Sequence, residues 1–143
     1  MRSMFLQKSS FVAKPTNARR RRGAAVVEFA VCIPVLMLIV LGSIEAAHSI
    51  FLRQGLSAAA YEGIRVAIEP RSLQADAVSQ AQSVLDARFI RDSKIVFSKD
   101  IQSTPRGEKI AIEVSAPISS NSPFIGRVIA DRIITVRTVM VKE

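Results

Sequence analysis

Three hydrophobicity patterns follow one another along the chain, and each predicts a different kind of element. From Ala24 to Ile44 the sequence AAVVEFAVCIPVLMLIVLGSI is apolar at nearly every position and carries one charge, Glu28. At 1.5 Å rise per residue such a helix is about 30 Å long, the hydrocarbon thickness of a bilayer, so the run predicts one transmembrane helix. A soluble core helix of this length would show a polar face. Past Ile44 the apolar positions thin out to three-, four- and seven-residue spacing (Ile44, Ala47, Phe51, Ala58, Tyr61, Ile64, Ile68), which predicts that the helix continues until Pro70 ends it. A second helix is predicted from about Ser72 to Phe89, capped by Ser72, with Leu73, Ala77, Ala81, Val84, Leu85 and Phe89 on its inner side.

After Asp92 the period shortens to two. Lys94 to Asp100, Lys109 to Ile118 and Arg132 to Val141 are rich in β-branched residues and alternate, predicting three strands. Thr104-Pro105-Arg106-Gly107 reads as a turn between the first two, and Ser119 to Gly126 as a longer surface loop. The expected fold is α+β: a long N-terminal transmembrane helix continuing outside the membrane, a second helix, and a small three-stranded antiparallel sheet with one face on the helices. Small residues at Gly55, Ser57, Ala58, Ala59 and Ala60 would let another element approach the first helix closely, or are ordinary helix filler.

Charge changes this picture at one end only. The chain has 20 Lys and Arg against 12 Asp and Glu, but seven of the bases fall within residues 1–23, where there is no acid. The remainder is nearly neutral, which argues against a nucleic-acid ligand. Arg19, Arg20, Arg21 and Arg22 abut the apolar run, and bases beside a span stay cytoplasmic, so the N-terminus is expected inside and the C-terminus outside the cytoplasm. The expected organisation is a basic cytoplasmic leader (1–23), a transmembrane helix (24–44) and an extracytoplasmic domain (45–143), helical over 45–90 and sheet over 91–143. A cleaved secretory signal is disfavoured by the length of the run, the nearest small-x-small site being Ala47-His48-Ser49. The lone Cys32 lies in mid-run and permits no intrachain disulfide.

Glu28 is the residue out of place. An acid near the bilayer centre costs about 2.5 kcal/mol or more, so intramembrane acids are usually paired and functional. So close to the start of the run, it could equally stay solvated at the interface or favour the helix N-terminus. Its setting, RRRRGAAVVEFAVCIPVL, resembles the type IV prepilin motif, in which a membrane peptidase cuts after a glycine that precedes the apolar run and leaves the glutamate fifth from the new N-terminus. That resemblance places cleavage between Gly23 and Ala24. Cleavage would remove the leader charges and free an α-amine to neutralise Glu28, on the same chain or a neighbour.

Over residues 21 to 68 the sequence RRGAAVVEFAVCIPVLMLIVLGSIEAAHSIFLRQGLSAAAYEGIRVAI resembles the TadE-like pseudopilins of the tight-adherence pilus system. Pro34, Glu45, Arg53, Gln54, Ala59, Glu62, Gly63 and Arg65 stand where that family's features are expected, while Phe29 replaces the tyrosine of processed members. The resemblance implies a minor pilin or pseudopilin of a bacterial inner membrane, with membrane lipid, prepilin peptidase, other pilin subunits and the assembly platform as partners and no cofactor. The motif residues it implies are Gly23 and Ala24 for processing and Glu28 and Phe29 for assembly.

No catalytic arrangement competes with this reading. His48 is the single histidine, the hydroxyls Ser119, Ser120 and Ser122 belong to a loop, and Glu108 and Glu113 sit beside bases as surface pairs would. The alternative is an unprocessed single-span protein with an extracytoplasmic binding domain. A soluble nucleic-acid-binding protein would require the apolar run to be a core helix.

Overall fold

The computed structural model of the protein describes residues 18–122 and 132–142, with residues 18–22 described by their backbone alone. Helix α1 spans Ala18–Ile68, α2 Gln74–Ala87, and the short α3 Ile118–Asn121; strands β1, β2 and β3 span Lys94–Phe97, Lys109–Pro117 and Ile133–Val141. The chain divides into two compact units, Met1–Leu38 and Ile39–Glu143.

Within the first unit, the described residues are helical and their apolar side chains are uncovered. Val26, Phe29, Val31 and Leu38 are 62–71% exposed. A core helix would bury such side chains, and here the described ones of this unit are uncovered, as a membrane-spanning helix requires. Helix α1 begins at Ala18, inside the predicted leader, because arginine is a good helix former and the single Gly23 before the apolar run does not stop the helix. The rest of that leader lies outside the described residues.

The second unit is the predicted α+β arrangement. The sheet order is β1-β2-β3, antiparallel throughout, with Phe97 opposite Ile112 and Lys109 opposite Val141. Central β2 supplies Ile112, Val114 and Ala116 to a core shared with Leu52, Leu56, Ala59, Ala60 and Ile64 of α1 and with Ala81 and Leu85 of α2. In β3 every second residue turns inward, and Ile134, Val136 and Met140 pack on that core. The turn before β2 matches its sequence signature: Glu108 N–H donates to Pro105 O at 3.3 Å, and Gly107 takes the positive φ of 84° that a type II turn requires.

Four local expectations are corrected. The inner face of α1 is not the one with the large apolar residues: Ile44, Phe51 and Tyr61 are exposed, while Leu52, Leu56, Ala59, Ala60, Gly63, Ile64 and Ala67 face inward. Close approach explains the preference for small residues. A Cβ on Gly63 would stand 2.9 Å from Ala81 Cβ and 2.9 Å from Ile112 Cδ1. Ser72 does not cap α2; its hydroxyl donates to Ala67 O at 3.2 Å, and Leu73 holds the N-cap position without a side-chain bond. Of the residues predicted to line α2, Leu73 and Phe89 point to solvent. Finally, part of the predicted Ser119–Gly126 loop is the single turn α3, and its residues 123–126 lie outside the described residues.

Helix α2 ends in a Schellman motif. Ile90 N–H donates to Leu85 O and Phe89 N–H to Asp86 O, both at 3.0 Å, and Phe89 takes φ 56° where glycine is usual. A side chain in this left-handed region costs about 1–2 kcal/mol.

The loop from β1 to β2 is tied down by Lys142, just past β3. Its ammonium donates to Ile101 O and, at 2.8 Å, to Thr104 O. Lys142→Met keeps the aliphatic stem but removes both charge-assisted bonds, and is expected to lower stability by about 1–2 kcal/mol. Chemical denaturation of the full chain in detergent checks this; an unchanged midpoint would contradict it.

Candidate functional site

Two groups of polar residues stand out on α1, one in each unit. The first is the Gly23–Glu28 motif. Gly23 lies inside the helix, and a Cβ there would meet nothing within 4 Å. Its glycine therefore answers no packing demand within the described residues. What it does provide is a weak point, because glycine in a helix interior is about 1 kcal/mol less favourable than alanine. A peptidase needs an extended strand in its cleft, so this is where the helix opens most cheaply.

Ala24 and Glu28 are four residues apart and share one face of α1, about 6 Å along the axis. Helical side chains lean toward the N-terminus, so the Glu28 carboxylate lies over the turn that begins at Ala24. An amine freed at Ala24 would fall within reach of Glu28 of the same chain. Phe29 beside it is 62% exposed. The side chains of Arg19, Arg20, Arg21 and Arg22 lie outside the described residues.

The second group is buried, and it had no local signal. Glu45, one residue past the apolar run, is only 8% exposed, and its Oε1 accepts a hydrogen bond from the Ser122 hydroxyl. Ser49 Oγ also donates to Glu45 O at 3.1 Å. Seventy-seven residues separate Glu45 from Ser122, so no spacing rule could have paired them. The contact ties the start of the second unit's helix to the chain leaving α3. Ser122, read from sequence as a loop hydroxyl, is thus part of an internal joint.

The surface pairs are as ordinary as their spacing suggested. Lys99 Nζ lies 2.5 Å from Glu108 Oε2, Arg65 Nε 3.5 Å from Glu62 Oε2, and Glu113 faces Arg137 across the sheet. Exposed pairs of this kind contribute about 0–1 kcal/mol. His48 is exposed, with its ring nitrogen 3.2 Å from Ile44 O. Among the described residues no three His, Cys, Asp or Glu side chains gather as a metal site would require.

The family model described as TadE-like protein matches residues 23–65, beginning at Gly23 and including Glu28 and Glu45. This bears out the resemblance to TadE-like proteins read over residues 21–68. No curated protein and no solved structure matches the chain. Over that segment, less than a third of the chain, the protein is similar to TadE-like proteins. One described helix, within Gly23–Ile68, is long and apolar enough to cross a membrane, which fits a single-pass membrane protein.

Proposed function

We propose that this protein is a minor pilin or pseudopilin of a type IVc-like tight-adherence pilus, held in the bacterial inner membrane by residues 24–44 until a prepilin peptidase cuts between Gly23 and Ala24. Its leader faces the cytoplasm and residues 45–143 lie outside. After cleavage the subunit joins or primes the pilus through packing of α1, in contact with other pilin subunits and the assembly platform, and so contributes to assembly, adhesion or secretion.

One observation carries the reading: inside the TadE-like segment, an acid sits fifth after a glycine on a helix whose apolar side chains are uncovered. Without cleavage, seven bases remain attached and Glu28 lacks the amine that would neutralise it. With cleavage, both penalties disappear together.

Gly23→Ala tests the processing step. The added methyl crowds the scissile bond and strengthens the helix, so the variant is expected to accumulate uncut. On an immunoblot it should run about 2.5 kDa heavier than the wild type, the share that 23 of 143 residues take of 15.6 kDa. Equal mobility of the two would reject processing at this bond.

Phe29 favours the second reading, an unprocessed single-span protein with an extracytoplasmic binding domain, since the ring lacks the hydroxyl of processed members of the family. In that case Gly23→Ala and removal of the peptidase both leave the mobility unchanged.

A further inference from the structure

Strand β3 is an open edge of the sheet. It runs nine residues without a proline or a break in its register with β2, whereas the opposite edge, β1, is four residues long. Short length, proline, bulges and several charges are the usual means of closing an edge to further strands, and β3 carries one charge, Arg137. The direction of its backbone groups follows from its two ends. Arg132 O accepts from Ile118 N–H and Lys142 N–H donates to Glu108 O, both at 2.9 Å, so the even-numbered residues face β2. Ile133, Thr135, Arg137, Val139 and Val141 therefore turn their N–H and C=O groups away from β2, and no described strand pairs with them.

The packing is unfinished on the same side. In β2 the inward residues Ile110, Ile112 and Val114 are fully buried, whereas Ile134, Val136 and Met140 of β3 are half-buried. Beside them a recess of about 440 Å³ opens between α1 and the start of β3, lined by Ser49, Ile50, Arg53, Ile134 and Thr135, all within the second unit. A further strand along β3 would complete the ladder and cover these residues at once, the geometry of recognition by strand addition.

Charge selects what that strand is. A second copy of β3 paired about its centre, which uses the whole edge, sets Arg137 against Arg137, and like charges directly opposite destabilise a sheet. Around the edge Arg53, Lys109 and Arg137 stand against one acid, Glu113, which already faces Arg137 across the sheet. The acids of α1 on either side of Arg53 are engaged, Glu45 with Ser122 and Glu62 with Arg65. At the two ends of the strand Arg132 and Lys142 adjoin Asp131 and Glu143 in sequence, which balances them. A carboxylate opposite Arg137 is therefore the complement of this edge.

We propose that the outer edge of β3 takes an extended acidic segment of a partner protein as a fourth strand, antiparallel to β3, with β-branched residues beside the recess and a carboxylate opposite Arg137. The site lies wholly in the second unit and does not depend on processing at Gly23.

The probe is a fluorescein-labelled peptide as long as β3, alternating threonine and valine with glutamate at its centre, titrated against the full chain in detergent and read by anisotropy. Its binding should slow amide exchange over residues 133–141. Lysine in place of the glutamate, or N-methyl groups on the threonines and the glutamate, should each weaken binding at least about tenfold, the first by reversing the charge and the second by removing the ladder bonds. In the protein, Val139→Pro removes an outward N–H and no bond to β2, so it should abolish binding and leave thermal unfolding nearly unchanged. Arg53→Glu should weaken binding without touching the sheet. If Val139→Pro unfolds, the peptide series and Arg53→Glu decide alone. Equal affinity for the three peptides, exchange slowed elsewhere than in β3, or no binding of the glutamate peptide overturns the proposal. So does protection of residues 133–141 that rises with protein concentration in the absence of peptide, which assigns the edge to a second copy.

Discussion

Gly63→Ala is expected to destabilise the folded second unit by about 1–2 kcal/mol, although alanine is the better helix former. Two opposing effects set the sign. Replacing glycine by alanine in a helix interior gains about 0.5–1 kcal/mol. Against it, the new methyl meets Ala81 Cβ and Ile112 Cδ1 at 2.9 Å and Ala77 O at 3.3 Å. Ile112 can swing its terminal methyl aside, but Ala81 Cβ and Ala77 O are fixed to the backbone of α2. The helices must therefore move apart, and overpacking of a close contact costs about 1–3 kcal/mol. Gly55→Ala is the contrast, because there the closest atom is the far end of the Ile90 side chain and the cost is smaller. Thermal unfolding of the full chain in detergent should show a drop of roughly 5–10 °C for Gly63→Ala. Gly42→Ala, with open space around its Cβ, should show no drop. If Gly63→Ala unfolded no earlier than Gly42→Ala, the close approach of α1 and α2 would be wrong.

The second large effect is expected at Glu28. Removing its carboxylate takes an acid out of the apolar run, which favours insertion by less than the about 2.5 kcal/mol that an acid costs at the helix centre. Membrane fractionation of Glu28→Ala should accordingly match the wild type or exceed it. Assembly should fail in the same variant, since the freed amine of Ala24 then has no carboxylate to meet. A pair worth about 1.4 kcal/mol already changes an equilibrium tenfold, and this one would form in a low dielectric. Recovery of the subunit in sheared pili is expected to fall at least about tenfold, while Glu28→Asp keeps part of it. Undiminished recovery of Glu28→Ala would make the acid an interfacial bystander.

Residue chemistry explains which features could be read in advance. The strands were visible because Ile110, Ile112, Val114 and the matching residues of β3 alternate, and alternation has one structural meaning. The turn at Gly107 was visible for a similar reason, as only a few residue types tolerate its backbone. The apolar spacing along α1 does not by itself separate buried Ile64 from exposed Phe51 and Tyr61, because the inner face mixes Leu52, Leu56 and Ile64 with Gly55, Ala59, Ala60, Gly63 and Ala67. Small residues give almost no hydrophobic signal; what selects them is the neighbouring helix. Phe89 differs for a related cause, since it continues the apolar spacing of α2 but sits two residues past Ala87, where the backbone has turned left-handed. At the candidate site, the Gly23–Glu28 pattern can be proposed from sequence because its spacing is local. The Glu45–Ser122 contact cannot, because only the folded chain brings the two together.

The account stands or falls on the covalent start of the mature chain. Intact-mass and N-terminal peptide spectrometry of protein taken from native membranes measures it directly. A polypeptide beginning at Ala24, and absent from cells without a prepilin peptidase, is the result expected. A functional polypeptide that keeps Met1 through Gly23 would contradict it.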